Sequence, residues 1–85
     1  MKLIKFSATW CGPCKMLEQR FKDYTRYEIE KYDVDEVDEE VLSKYNIRNV
    51  PTVLIMDDND NELGRLSGLF NISELDAKLD ELENG

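Results

Sequence analysis

Histidine is absent from this chain of 85 residues. That absence removes the commonest general base and the commonest metal ligand, and it excludes any Ser-His or Cys-His catalytic pair. Cysteine occurs only twice, proline twice, glycine four times and tryptophan once. So little proline and glycine argues against a disordered or low-complexity chain. Positive charge is scarce as well: 11 Lys and Arg stand against 19 Asp and Glu, for a net charge of -8. An acidic surface of this kind repels phosphate backbones and anionic lipid, so neither nucleic acid nor a membrane surface is an expected partner, and the acids are read as a device for solubility. No long apolar run occurs either. The opening segment Met1 to Phe6 is broken by Lys5, and no small-residue cleavage site follows it, so neither a signal peptide nor a transmembrane span is expected. A cytoplasmic location is the resulting expectation. Thiols are kept reduced there, and a cysteine pair in such a compartment is more often catalytic or metal-binding than a permanent staple.

With 41% hydrophobic and 35% charged residues, the chain reads as one globular domain over residues 1–85. Leu3 to Ser7 suits a central strand. Pro13 then stands where a helix begins, a place that tolerates its missing N–H, and Met16, Leu17, Phe21 and Tyr24 recur at helical spacing. The spacing predicts a helix from Gly12 to Tyr24, with Glu18 and Lys22 as an i,i+4 ion pair on its outer side. Tyr27 to Asp35 alternates and is rich in aromatic and β-branched residues, as a second strand is. The acidic stretch Asp35 to Glu40 reads as a loop and a first helical turn, followed by a short helix on Val41, Leu42 and Tyr45 that Asn46 ends in a left-handed conformation. Val50 to Met56 is a continuous apolar run suited to a strand covered on both faces. Asp57 to Asn61 is a turn without the spaced ligand pattern of a calcium loop, and Glu62 to Ser67 closes a hairpin. Asn71 and Glu74 have the spacing of a capping box ahead of a last helix, on which Ile72, Leu75, Leu79 and Leu82 form a core-facing stripe. The order β, α, β, short α, β, β, α implies a mixed four-stranded sheet flanked by three helices, an α/β fold whose first two strands are parallel.

Both cysteines lie in Ala8-Thr9-Trp10-Cys11-Gly12-Pro13-Cys14-Lys15. A zinc site needs four ligands, and beyond these two thiols the chain offers only carboxylates, so no metal is expected. A structural staple gains little by closing so short a loop. A redox pair makes chemical sense, because the attacking species is the thiolate and a helix N-terminus favours a nearby anion. Cys11, nearest the helix start, is then the nucleophile. Cys14, one turn further in and more shielded, is the resolving thiol.

The segment Phe6 to Met16, with its Trp-Cys-Gly-Pro-Cys-Lys core, resembles the active-site segment of thioredoxins, and Lys44-Tyr45-Asn46-Ile47-Arg48-Asn49-Val50-Pro51-Thr52 resembles the segment that carries their cis-proline. Gly68 falls after the last strand, as in that family. The resemblance runs from Leu3 to the last helix. It implies a thioredoxin fold with strand order 2-1-3-4, lacking the family's usual N-terminal strand and helix, as in its small forms, and so a sheet edge open to solvent. It further implies a protein-disulfide reductase with no cofactor beyond a redox-active Cys11–Cys14 disulfide. Its partners would be disulfide-containing proteins and a thioredoxin reductase-like donor, and it would act as a monomer. Trp10 would pack beside the thiols, and Gly12, Pro13, Val50, cis-Pro51 and Gly68 would line an apolar docking groove. Thioredoxins place a buried acid where this chain has Lys5, and Lys31 matches the lysine that accompanies that acid. Both lysines are candidates for tuning the thiols, with one of them expected to reach outward or to find Glu28 or Glu30. Two other readings compete. One is a glutathione-dependent, glutaredoxin-like reductase, against which stands Pro13 where that family commonly has tyrosine. The other is a redox-indifferent binding subunit of a larger assembly.

Overall fold

The computed structural model describes residues Met1–Gly85. The chain runs β1 (Lys2–Ser7), α1 (Gly12–Arg20), β2 (Ile29–Asp33), α2 (Glu39–Lys44), β3 (Thr52–Met56), β4 (Glu62–Ser67) and α3 (Ile72–Asn84). The four strands form one sheet in the order β2-β1-β3-β4, the order the resemblance implies. β1 lies parallel to β2, with Lys5 opposite Lys31, and antiparallel to β3, with Lys5 opposite Val53. The outer strand β2 carries Glu30, Lys31 and Asp33, and such charges blunt an edge against pairing with another chain.

Alternation along the strands divides the core between the two faces of the sheet. Leu3, Val53 and Ile55 pack with Leu17 and Phe21 of the α1 segment and with Phe70, Leu75 and Leu79 on and before α3. Ile4, Phe6, Leu54 and Met56 face the other way, under Tyr32, Val34, Val41, Leu42, Tyr45 and Ile47. All five β3 residues are buried, as expected of a strand covered on both faces.

Several local expectations are corrected. α1 stops at Arg20 instead of Tyr24, because the Phe21 N–H turns back to the carbonyls of Leu17, Glu18 and Gln19 and closes the helix. Its buried face is set by Cys14, Leu17 and Phe21, which leaves Met16 52% exposed instead of in the core. β2 is shorter than the alternating segment and covers only Ile29–Asp33. Asn71 does cap α3, yet its side chain makes no capping bond; the Glu74 N–H donates to the Asn71 carbonyl at 2.9 Å and no capping box forms. Instead α3 is tied to the rest of the chain by Arg26, which reaches Asp76, Asp80 and Glu83 at 3.2, 2.6 and 3.0 Å. Asn46 has φ 53° and ends the α2 turn in the left-handed region. Asp57 accepts the N–H groups of Asn59 and Asn61, each at 2.8 Å, so its carboxylate organises the β3–β4 turn and is held below its ordinary pKa by those bonds.

Candidate active site

A helix start has N–H groups with no partner inside the helix, and they draw whatever acceptor precedes it. At α1 that acceptor is sulfur. Cys11 is the N-cap, with φ -92° and ψ 109°, and its Sγ accepts the Cys14 N–H at 3.1 Å. Pro13 occupies the first turn, where its missing N–H costs nothing. Cys11 and Cys14 are joined as a disulfide with Cα atoms 5.2 Å apart. A charge-assisted bond from the Cys14 N–H and the positive end of the helix would both favour an anion on Cys11 Sγ once the disulfide opens. The expected difference in shielding between the two is slight, since Cys11 is 5% and Cys14 4% exposed. What separates them is direction: Cys11 Sγ lies 3.9 Å from the Val50 carbonyl oxygen, while Cys14 lines a cleft with Ser7, Glu18 and Asp33.

The cysteines pack with Ala8, and Val34 and Val50 close over them. The Val50–Pro51 peptide bond is cis. The loop before it is tied down by Thr52, whose buried hydroxyl donates to the Asn49 carbonyl at 2.8 Å. The Pro51 carbonyl accepts the Gly68 N–H at 2.8 Å, which joins the start of β3 to the end of β4. Gly68 has φ +78°, where an L side chain is strained even though space is free around it, so glycine is required for its backbone.

The residues read as a groove do not all meet in one cavity. Trp10 and Val50 line an apolar pocket of about 450 Å³ with Val34, Leu42, Ile47, Arg48 and Asn49. Pro51 is fully buried and does not line it, and Gly12 and Pro13 are exposed at the helix start. Trp10 is 68% exposed, and its indole is fixed by a bond from Nε1 to Asp35 Oδ2 at 2.8 Å. No local pattern points to this pair, because Asp35 reads as part of an acidic loop and lies 25 residues from Trp10.

Lys5 is 2% exposed and its ammonium stands 5.9 Å from the centre of the Phe21 ring. Burial pushes its pKa down, opposed by the charge of Glu18 and reinforced by that of Lys31. Lys31 does reach outward, but the carboxylate it meets is Glu18 at 3.8 Å, neither Glu28 nor Glu30. Glu30 pairs with Lys2 at 3.5 Å. Glu18 therefore turns towards β2 and not along its own helix to Lys22. A lysine whose folded pKa lies below its unfolded value binds fewer protons folded than unfolded between the two values, so stability rises with pH across that alkaline window. Lys5→Met is expected to raise stability at neutral pH by about 1 kcal/mol, the low end for exchanging a buried charged group for an apolar one. Urea midpoints of the two proteins should converge as pH approaches about 10.4, the ordinary lysine range. A constant difference at every pH would show that Lys5 titrates normally.

No helix is long and apolar enough to cross a membrane. No three Cys, Asp or Glu side chains converge as a group that could hold a metal ion.

The Thioredoxin family profile matches residues 1–81. A thioredoxin of Staphylococcus epidermidis is 42% identical over 65 residues, covering 71% of this chain and 62% of that protein. Thioredoxin H2-1 of rice is 39% identical over 85 residues, covering 95% of this chain and 54% of that protein. The chain thus spans 62% and 54% of the length of these two curated relatives. Among solved structures, a mutant thioredoxin from Halobacterium salinarum superposes with a TM-score of 0.81 at 33% identity, over 93% of this chain and 71% of that one. Thioredoxin from Trypanosoma brucei brucei gives 0.81 at 28% identity, over 99% and 75%. Profile, sequence and superposition agree with the cysteine-capped helix and the strand order: the chain belongs to the thioredoxin family.

Proposed function

We propose that the chain is a protein-disulfide reductase working by dithiol exchange. The observation that carries this reading is the placement of Cys11 Sγ as the cap of α1, bonded by the Cys14 N–H at 3.1 Å and joined to Cys14 as a disulfide. In the reduced protein the Cys11 thiolate attacks one sulfur of a substrate disulfide; a mixed disulfide forms and the first substrate thiolate leaves. The Cys14 thiol then loses its proton and its sulfur attacks Cys11 Sγ. The Cys11–Cys14 bond forms, the bond from Cys11 to substrate breaks, and the second substrate thiolate leaves. Two electrons pass from the dithiol to the substrate, whose two thiolates take up protons from solvent, to which the protons of Cys11 and Cys14 have been lost.

The substrate is a disulfide-containing protein segment. It lies across Trp10, Gly12, Pro13, Val50 and Gly68, with the buried cis-Pro51 shaping the Val50 backbone it meets and an apolar side chain in the pocket beside Trp10. The exposed face of Trp10, held by Asp35, suits contact with such a segment. A thioredoxin reductase-like flavoprotein returns the disulfide to the dithiol. A cytoplasmic setting, where thiols are kept reduced, suits a protein that must start each cycle as a dithiol.

Reduction of insulin disulfides by dithiothreitol, followed by turbidity, tests the reading. Wild-type protein should accelerate precipitation and Cys11→Ser should not differ from dithiothreitol alone. Acceleration by Cys11→Ser equal to wild type would remove Cys11 as the nucleophile.

A further inference from the structure

Cys14 is 4% exposed, and its thiol must shed a proton before its sulfur can attack. Of the clefts in the molecule, the one that Cys14 lines lies away from the Trp10 pocket. It has a volume of about 330 Å³ and is walled by Ser7, Ala8, Thr9, Lys15, Glu18 and Asp33. That is polar and roomy enough for several water molecules. Two carboxylates reach this space. Asp33 Oδ1 is already engaged by the Asp35 N–H at 2.9 Å. Glu18 stands four residues after Cys14, hence on the same face of α1. Lys31 Nζ holds its carboxylate from β2 at 3.8 Å, and its charge is also the one that opposes the depressed pKa of buried Lys5.

One acid thus shares a cleft wide enough for water with the inner thiol while meeting the charges of two lysines from adjacent strands. We propose that Glu18 accepts, through water in this cleft, the proton that Cys14 loses as it attacks the mixed disulfide. The inference rests on the dithiol-exchange reading. In the step, the Cys14 S–H bond breaks and its proton passes by way of water to a Glu18 oxygen. The sulfur's electron pair forms the bond to Cys11 Sγ, and the bond from Cys11 to substrate breaks with its pair on the departing thiolate. Glu18 afterwards releases the proton to solvent, to which its side chain is 62% exposed. A carboxylate is a far better proton acceptor than water. The other charged groups around the cleft are Lys15 from α1, Asp33 and Lys31 from β2, and Lys5 from β1.

Ellman's reagent separates the two chemical steps. Mixing it with reduced protein releases one thionitrobenzoate as Cys11 attacks and a second as Cys14 resolves the mixed disulfide, and stopped-flow absorbance reads both rates. In Glu18→Gln the second release should slow by about tenfold at neutral pH with the first unchanged. The deficit should vanish as pH rises past about 8.5, the ordinary thiol range, where Cys14 needs no base. Glu18→Asp should recover part of the rate, and Glu28→Gln, exposed and outside the cleft, should match wild type throughout. A second release in Glu18→Gln that is unchanged or faster at every pH overturns the role of Glu18, as does a slowing found only in Asp33→Asn. Absence of a second release in the wild type itself would instead overturn dithiol exchange.

Discussion

On the proposed dithiol exchange, Cys14→Ser is expected to turn the protein into a trap that binds a substrate disulfide and does not let it go. The donor that favours the Cys11 thiolate is the backbone N–H of residue 14, at 3.1 Å from Cys11 Sγ, and a serine keeps it. Attack by Cys11 on a substrate disulfide should therefore proceed at close to the wild-type rate. Release should not. In the wild type the second sulfur is held one helical turn away, with the two Cα atoms 5.2 Å apart. Well-oriented intramolecular groups act at effective concentrations far above any external thiol, so steady-state turnover in Cys14→Ser should fall on the order of a thousandfold or more. The adduct with insulin should be visible on a non-reducing gel and by mass, and should dissolve in excess dithiothreitol. Turnover within a few-fold of wild type, with no adduct, would mean that Cys14 does not resolve the intermediate and that the two sulfurs are not used in sequence.

The parts of this site that lie close together in sequence were legible, and those assembled across the fold were not. A strand, two cysteines flanking Gly12 and Pro13, and a helix with Pro13 in its first turn are local features, and each was visible from residue type and spacing. The full strand order was available only through the family resemblance, because apolar runs mark Leu3 to Ser7 and Val50 to Met56 as inner strands without saying which neighbours each takes. Trp10 reads as a groove residue packing beside the thiols, and the bond from Asp35, 25 residues away, that holds it at the surface has no local pattern. Glu18 reads as the solvent-facing half of a pair with Lys22, since helix spacing reports neighbours on one helix and not a lysine on β2. The α1 stripe reads as passing through Met16 because the buried face is completed by Cys14, whose small thiol does not stand out as an apolar residue. Arg26 meets three acids spread along α3, a contact that no local pattern encodes. Apart from the α1 stripe, the missing signal is in each case a pairing between segments that only the folded chain brings together.

Phe6→Ala is expected to produce the largest loss of stability of any single truncation on the α2 side of the sheet. That face is the thinner of the two: its cover is a helix of six residues, Glu39–Lys44, none of which is itself buried. Phe6 is fully buried, and its ring lies 5.4 Å from that of Tyr32 and 6.0 Å from that of Tyr45, so it fills the space the short helix leaves. Truncation removes both aromatic contacts and opens a cavity that its β1 neighbour Ile4 and the diagonal β3 residue Leu54, both fixed in central strands, cannot collapse into. The cost should be about 3–5 kcal/mol. A domain of this size has on the order of 4–13 kcal/mol in all, so the variant should sit near its folding threshold, with its melting midpoint lowered by roughly 15 °C or more. The effect should reach the site as well, because Val34, Leu42 and Ile47 pack on the Phe6 cluster from one side and line the pocket beside Trp10 from the other. Thermal denaturation by circular dichroism reads the first consequence, and the quenching of Trp10 fluorescence by acrylamide reads the second. A midpoint within a few degrees of wild type would mean that the α2 face can close over the missing ring, and that Tyr32 and Tyr45 carry this half of the core without it.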